Sequence, residues 1–120
     1  MNLNFVKRII KWNQERGNER GVIDKHLEIQ MLEEELEEFK NTENEVDELD
    51  ALVDLIYVSI GSMHKLGLSP QQIEKAINIV CKANESKKSI KDKSGKIIKD
   101  KDFNKPEPEL QKILDERNKN

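Results

Sequence analysis

Two groups of carboxylates carry the chemistry that this sequence can offer. Glu34, Glu35 and Glu38 fall in the run Glu34-Glu35-Leu36-Glu37-Glu38, and Asp47, Asp50 and Asp54 follow at intervals of three and four residues. At ~100° per residue on a helix, Glu34, Glu35 and Glu38 share a face with Leu27 and Met31, while Glu33 and Glu37 project elsewhere. Like charges three or four residues apart cost a few tenths of a kcal/mol each, so the three glutamates together call for a cation. Asp54 is the sharper case. It stands inside Ala51-Leu-Val-Asp-Leu-Ile-Tyr-Val58, which is apolar on nearly every side, and an unpaired ionised carboxylate there would cost about several kcal/mol to desolvate.

Asp50 and Asp47 lie one and two helical turns before Asp54 on the same side. Two antiparallel helices joined by a short connection would set this ladder against Glu35 and Glu38, bringing several carboxylate oxygens around one point. Hard divalent cations take such oxygens, and Mg²⁺ in particular is held by a few carboxylates together with substrate phosphate. A solvated acidic face, or an Asp54 satisfied by a lysine or arginine, are the plainer readings of the same residues. Further along, Asn84 and Lys87 continue the stripe of Ile73, Ile77 and Val80, so an amide and an ammonium are expected to turn towards the bundle interior or its mouth, where they suit a phosphate chain. A frayed lysine-rich helix end is the competing reading.

The elements that must position these residues are all predicted to be helices. Phe5, Ile9 and Trp12 recur at helical spacing over residues 3–16, and the stretch from Gly17 to Gly21 interrupts them. A second helix is expected from about Asp24 to Lys40, with Ile29, Leu32, Leu36 and Phe39 as its core stripe. Thr42 and Glu45 form a capping-box pair that would start a third helix near Glu43, ending around Leu66 with Gly67 as its left-handed cap and His64 and Lys65 at the negative end of its dipole. Ser69, Pro70 and Gln72 open a fourth, carried to about Lys87. Residues 91–108 are polar and contain Ser-Gly, Lys-Pro and Glu-Pro breakers, so they read as a loop or arm before a short helix at 108–117.

Composition narrows the class further. With 120 residues the chain is expected to form a single domain over 1–120, and 35% hydrophobic against 38% charged residues leaves a core lean enough to be completed against a second copy. A net charge of −3 argues against a nucleic-acid partner, which needs a cationic surface. The charge is uneven, with carboxylates crowded into 28–54 and lysines into 82–105, as an anionic ligand carrying a metal would require. Cys81 is the one cysteine, so no internal disulfide forms, and it is expected to be a small buried helix residue. No segment reaches the ~18 apolar residues of a membrane span, and a cytoplasmic protein is expected.

These motifs resemble the all-alpha nucleotide pyrophosphohydrolases of the MazG-like and phosphoribosyl-ATP-pyrophosphohydrolase-like superfamily over roughly residues 20–110. The first acidic motif of that group is similar to Glu34-Glu35-Leu36-Glu37-Glu38, and its second to Asp50-Ala-Leu-Val-Asp54-Leu-Ile-Tyr57. The stretch Val80-Cys-Lys-Ala-Asn84-Glu-Ser-Lys87, with Gly95-Lys-Ile-Ile-Lys99 and a Pro-x-Pro before Leu110, resembles a third. One departure is that Ala51 stands where many members have a glutamate three residues before the second-motif aspartate, with Asp50 one position earlier. The resemblance implies an all-α fold, a four-helix bundle with a C-terminal arm, completed as a homodimer or homotetramer. It implies hydrolysis of a nucleoside triphosphate to the monophosphate and pyrophosphate. Glu35, Glu38 and Asp54, with Asp50, are then the expected ligands of Mg²⁺, for which Mn²⁺ could substitute. Glu34 is the candidate base, exchangeable in role with Glu35, and Asn84, Lys87 and Lys99 would contact the nucleotide.

Other classes remain. A helical interaction protein with an acidic face would show no metal dependence and leaves Asp54 unexplained. A di-iron bundle needs glutamate three residues before histidine, whereas Ile23 and Gly61 precede His26 and His64 at that spacing. Asp92 to Gly95 lacks the acids of a calcium loop. Phosphoribosyl-ATP is an alternative substrate, and Trp12, Asn13 and Tyr57 either line a base pocket or simply pack, with packing favoured for the two aromatics.

Overall fold

The computed structural model describes residues 4–87, 91–98 and 103–117. Among them are five α-helices and no strand: α1 (Asn4–Glu15), α2 (Lys25–Lys40), α3 (Glu45–Lys65), α4 (Pro70–Glu85) and α5 (Glu107–Glu116). Contacts divide the chain into two compact units, Met1–Ile73 and Glu74–Asn120.

Helix boundaries follow local chemistry. Asp24 caps α2 by accepting from the backbone N–H groups of His26 and Leu27, as an N-cap carboxylate does for donors that have no intrahelical partner. At α3 the expected Thr42–Glu45 box is not used. Asn44 is the cap: its Oδ1 accepts from Asp47 N at 2.9 Å and its Nδ2 donates to Asp47 Oδ2 at 2.9 Å, while Thr42 Oγ1 turns back to donate to Phe39 O at 2.8 Å. Two reciprocal bonds from an asparagine one residue before the helix outcompete a threonine already engaged at the end of α2. Gly67 closes α3 at φ 113°, in the left-handed region, and its N–H bonds to His64 O. At α4 the box is reciprocal as expected, Ser69 Oγ accepting from Gln72 N and Gln72 Oε1 from Ser69 N.

In the first unit α3 is the central element, with α1 and α2 both packed on it. Val6, Ile9 and Ile10 of α1, Ala51 and Ile60 of α3, then Leu68 and Ile73, are buried. The packed stripe of α2 differs from the expected one. It runs through Glu28, Met31, Leu32, Glu35 and Phe39, whereas Ile29 and Leu36 are 43% and 46% exposed. Leu32 and Phe39 lie on both stripes, whose centres are about 60° apart, and contact with α3 selected the side that also carries carboxylates.

In the second unit Ala83 and Ile113 are buried, and Asn104 N donates to Ser86 Oγ at 3.0 Å. Asp92 Oδ1 accepts from Ser94 N, Ser94 Oγ and Lys96 N, which tightens the turn that the bridge between Lys91 and Ile97 closes. Cys81 is exposed rather than buried, because two residues of helix place it on nearly the opposite side from Ala83.

Candidate active site

The site is built by α2 and α3, whose short connection makes them an antiparallel pair. Glu35, Glu38 and Asp54 each present a carboxylate oxygen, and the three oxygens lie within 4.8 Å of one another. Burial raises the Glu35 pKa, reinforced by the shared hydrogen bond and charge of Glu38 and then by the charges of Asp54 and Glu34. Burial also raises that of Asp54, followed by repulsion from Asp50 and Glu38. Among the described residues, Glu35 Oε2 is buried without a hydrogen-bond partner. A buried acceptor left unpaired among like charges is an arrangement that protons or a cation must relieve. The donor set is all hard oxygen, which fits a Mg²⁺-type cation.

Glu34 and Asp50 stand beside this cluster. Both line a second acidic cavity of about 640 Å³ at the α2–α3 connection, with Glu37, Glu38, Asn41, Thr42, Asp47 and Ala51. Ala51 is buried where a ligand glutamate was the alternative, so Asp50 is the acid on that turn.

A cavity of about 480 Å³ runs from the cluster along the groove between α2 and α3. Glu34, Glu35 and Asp54 form one end, Met31, Val58 and Gly61 the middle, and Glu28 and Lys65 the other end, with Trp12, Asn13, Asn18 and Tyr57 as further wall. Trp12 and Tyr57 meet edge to face at 5.6 Å between centroids, so they pack on each other and also line the cavity. The Arg16 guanidinium lies 4.3 Å over the Trp12 ring. Asn13 is locked, donating to Ile9 O and accepting from Asn18 Nδ2, and a Cβ at Gly61 would come within 3.1 Å of its amide.

Sequence reasoning missed the Glu28–Lys65 pair. Lys65 Nζ lies 3.1 Å from Glu28 Oε2 and 3.3 Å from Oε1, both side chains are under 10% exposed (9% and 6%), and Ser62 Oγ donates to Glu28 Oε1 at 2.8 Å. Lys65 was expected only to complement the helix dipole. His64 beside it is fully buried, with Nε2 bonded to Asn18 O at 2.8 Å. No spacing rule links residues 37 positions apart.

Asn84 and Lys87 belong to the second unit. Asn84 is exposed, and the Lys87 ammonium lies 5.3 Å over the Phe103 ring. Lys99 lies outside the described residues.

The family model described as phosphoribosyl-ATP pyrophosphohydrolase matches residues 11–79, which contain the end of α1, all of α2 and α3, the first part of α4 and the whole acidic cluster. The chain belongs to this family. It is therefore a pyrophosphohydrolase of the MazG-like all-alpha nucleotide pyrophosphohydrolase superfamily, acting on a phosphoanhydride bond. No curated protein and no solved structure matches the chain.

Proposed function

We propose that the chain hydrolyses (deoxy)ribonucleoside triphosphates between the α- and β-phosphates, giving the monophosphate and pyrophosphate in a Mg²⁺-dependent reaction that clears unwanted nucleotides. The observation that carries the reading is the convergence of Glu35, Glu38 and Asp54 with a buried, unpartnered Glu35 oxygen at the end of a groove long enough for a nucleoside. These three residues would hold the cation, with Asp50 as a further ligand, and Mn²⁺ is a workable substitute. When bound, such a cation neutralises phosphate oxygens and orients water for in-line attack.

Glu34 lines the cavity beside the cluster, where a carboxylate takes the proton of the attacking water. Lys87 and Lys99 would balance the charge of the departing pyrophosphate, and Asn84 would bind the phosphate chain. Trp12 and Tyr57 shape the space for the base.

The assembly belongs to the same proposal: a four-helix bundle with its arm, completed as a homodimer or homotetramer. Val46, Leu49, Val53 and Ile56 repeat at intervals of three, four and three residues and are all exposed on α3, which is the spacing of a helix seam that lacks its partner. Ile29 and Leu36 on α2 are exposed as well.

Phosphoribosyl-ATP, for which the matching family is named, is the second substrate reading. Pyrophosphate release from a panel of nucleoside triphosphates and phosphoribosyl-ATP, with Mg²⁺ and with chelator, tests both. Metal-dependent release that is lost in Asp54→Asn supports the site. Release that survives chelation or the substitution refutes it.

A further inference from the structure

Building on the proposed triphosphate hydrolysis, we propose that the buried Glu28–Lys65 pair is the specificity determinant of the cavity: it reads the hydrogen-bonding edge of an uncharged nucleobase. The substrate class is then a nucleoside triphosphate whose base edge is free, and not a nucleotide bearing a second phosphate beyond its base.

Position comes first. Glu28, Met31 and Glu35 fall on one stripe of α2, and Asp54, Val58, Gly61 and Lys65 on one stripe of α3, and all seven line the same cavity. At the helical rise, Glu28 stands about 10 Å from Glu35 along α2, and Lys65 about 16 Å from Asp54 along α3. This matches the reach of a nucleoside from its 5′-phosphate to the far edge of its base. A substrate with its phosphates on the acidic cluster therefore brings its base to the ion pair.

Hydrogen-bonding capacity comes next. Glu28 Oε1 accepts from both Ser62 and Lys65, but among the described contacts Oε2 accepts from Lys65 alone, so it retains a free lone pair. The Lys65 ammonium has three N–H donors and Glu28 is its one described acceptor. The end of the cavity thus offers an acceptor and a donor side by side, as a base edge with adjacent N–H and C=O or ring nitrogen requires. A buried ion pair is often no more stabilising than apolar residues of the same volume, so its presence at the end of a cavity is better matched to recognition than to holding the fold.

Charge excludes the alternative. Glu28 and Lys65 both line the cavity and their charges cancel, so a second phosphate there would meet no net positive charge to neutralise it. Phosphoribosyl-ATP carries such a sugar phosphate on its purine.

The test measures kcat and KM for pyrophosphate release from ATP, GTP, CTP, UTP, their deoxy forms and phosphoribosyl-ATP. It compares the wild type with Glu28→Gln/Lys65→Met and with Ser62→Ala, which keeps both charges and reports even if the double variant does not fold. The wild type is expected to show a spread of at least about tenfold in kcat/KM among bases, carried mainly by KM, with phosphoribosyl-ATP poorest. The variants are expected to narrow that spread at least about fivefold. The inference is overturned if all substrates fall by one common factor, as a structural role requires. It is equally overturned if the wild type treats the bases alike, or if phosphoribosyl-ATP is turned over as well as the best triphosphate. Release from no substrate at all would instead sink the proposed reaction itself, together with what rests on it.

Discussion

Removing one member of the Glu28–Lys65 pair tests directly whether it is a buried ion pair. In Lys65→Met the Glu28 carboxylate keeps, among its described contacts, only the Ser62 hydroxyl at 2.8 Å, whose one proton Val58 O also competes for at 3.0 Å, in a place where the Glu28 side chain is 6% exposed. Breaking a buried pair from one side costs about 3–5 kcal/mol, whereas losing a solvated surface pair costs about 0–1 kcal/mol. The pair borders a cavity that admits water, so the lower end of the buried range applies, about 3 kcal/mol. For a chain of this size that is a fall in Tm on the order of 10 °C. The double variant Glu28→Gln/Lys65→Met leaves no buried charge and is expected to recover most of the loss, giving a coupling energy of about 2 kcal/mol in the double-mutant cycle. Urea unfolding at one fixed protein concentration measures all four corners, since self-association would otherwise shift apparent stability. A loss under about 1 kcal/mol for Lys65→Met would show that the pair is solvated, and strictly additive single and double values would show that the two charges do not depend on each other.

Glu38→Gln removes one of the three converging carboxylates and is expected to lower kcat at least about a hundredfold, while metal-free Tm stays level or rises, because the Glu38 charge raises both Glu35 and Asp54; near-normal turnover would remove Glu38 from the site. Glu35 and Asp54 titrate above their ordinary values of 4.5 and 3.8, so the folded state holds their protons to higher pH than the unfolded chain does. Their contribution to metal-free stability is therefore fully present below the ordinary carboxylate range and is lost as pH rises through the raised values, and the difference between wild type and Glu35→Gln in a Tm series from acid to neutral pH shows it. If the exposed apolar seam is the proposed subunit contact, Leu49→Glu/Ile56→Glu is expected to sediment as a monomer where the wild type does not, while the chain stays helical by circular dichroism, and an unchanged sedimentation coefficient would refute the seam as that contact.

Much of this molecule is local, and what is local can be read along the chain. The Ser69–Gln72 box, the Gly67 cap and the Asp24 cap each depend on groups within four residues, so the starts of α2 and α4 and the end of α3 follow from residue types alone. The acidic motifs are legible for a related reason: an aspartate in an apolar run and glutamates at helical spacing are conflicts that only a shared partner resolves. Asn44 against Thr42 shows the limit even at short range, since two adjacent caps of similar strength are separated by what each side chain already bonds.

Tertiary structure decided which face of each helix is inside. Packing on α3 put Glu28 and Glu35 inward and left Ile29 and Leu36 at the surface, an outcome that periodicity cannot choose when two stripes are plausible. The same packing created the Glu28–Lys65–Ser62 contact and enclosed the cavity, because bonds between residues 34 and 37 positions apart exist only once two helices meet in one register. The sequence by itself determined the helices and the acids they carry. The fold determined which acids converge, which one is neutralised by a lysine, and where between them a cavity opens, since convergence is a property of distances that no order of residues contains.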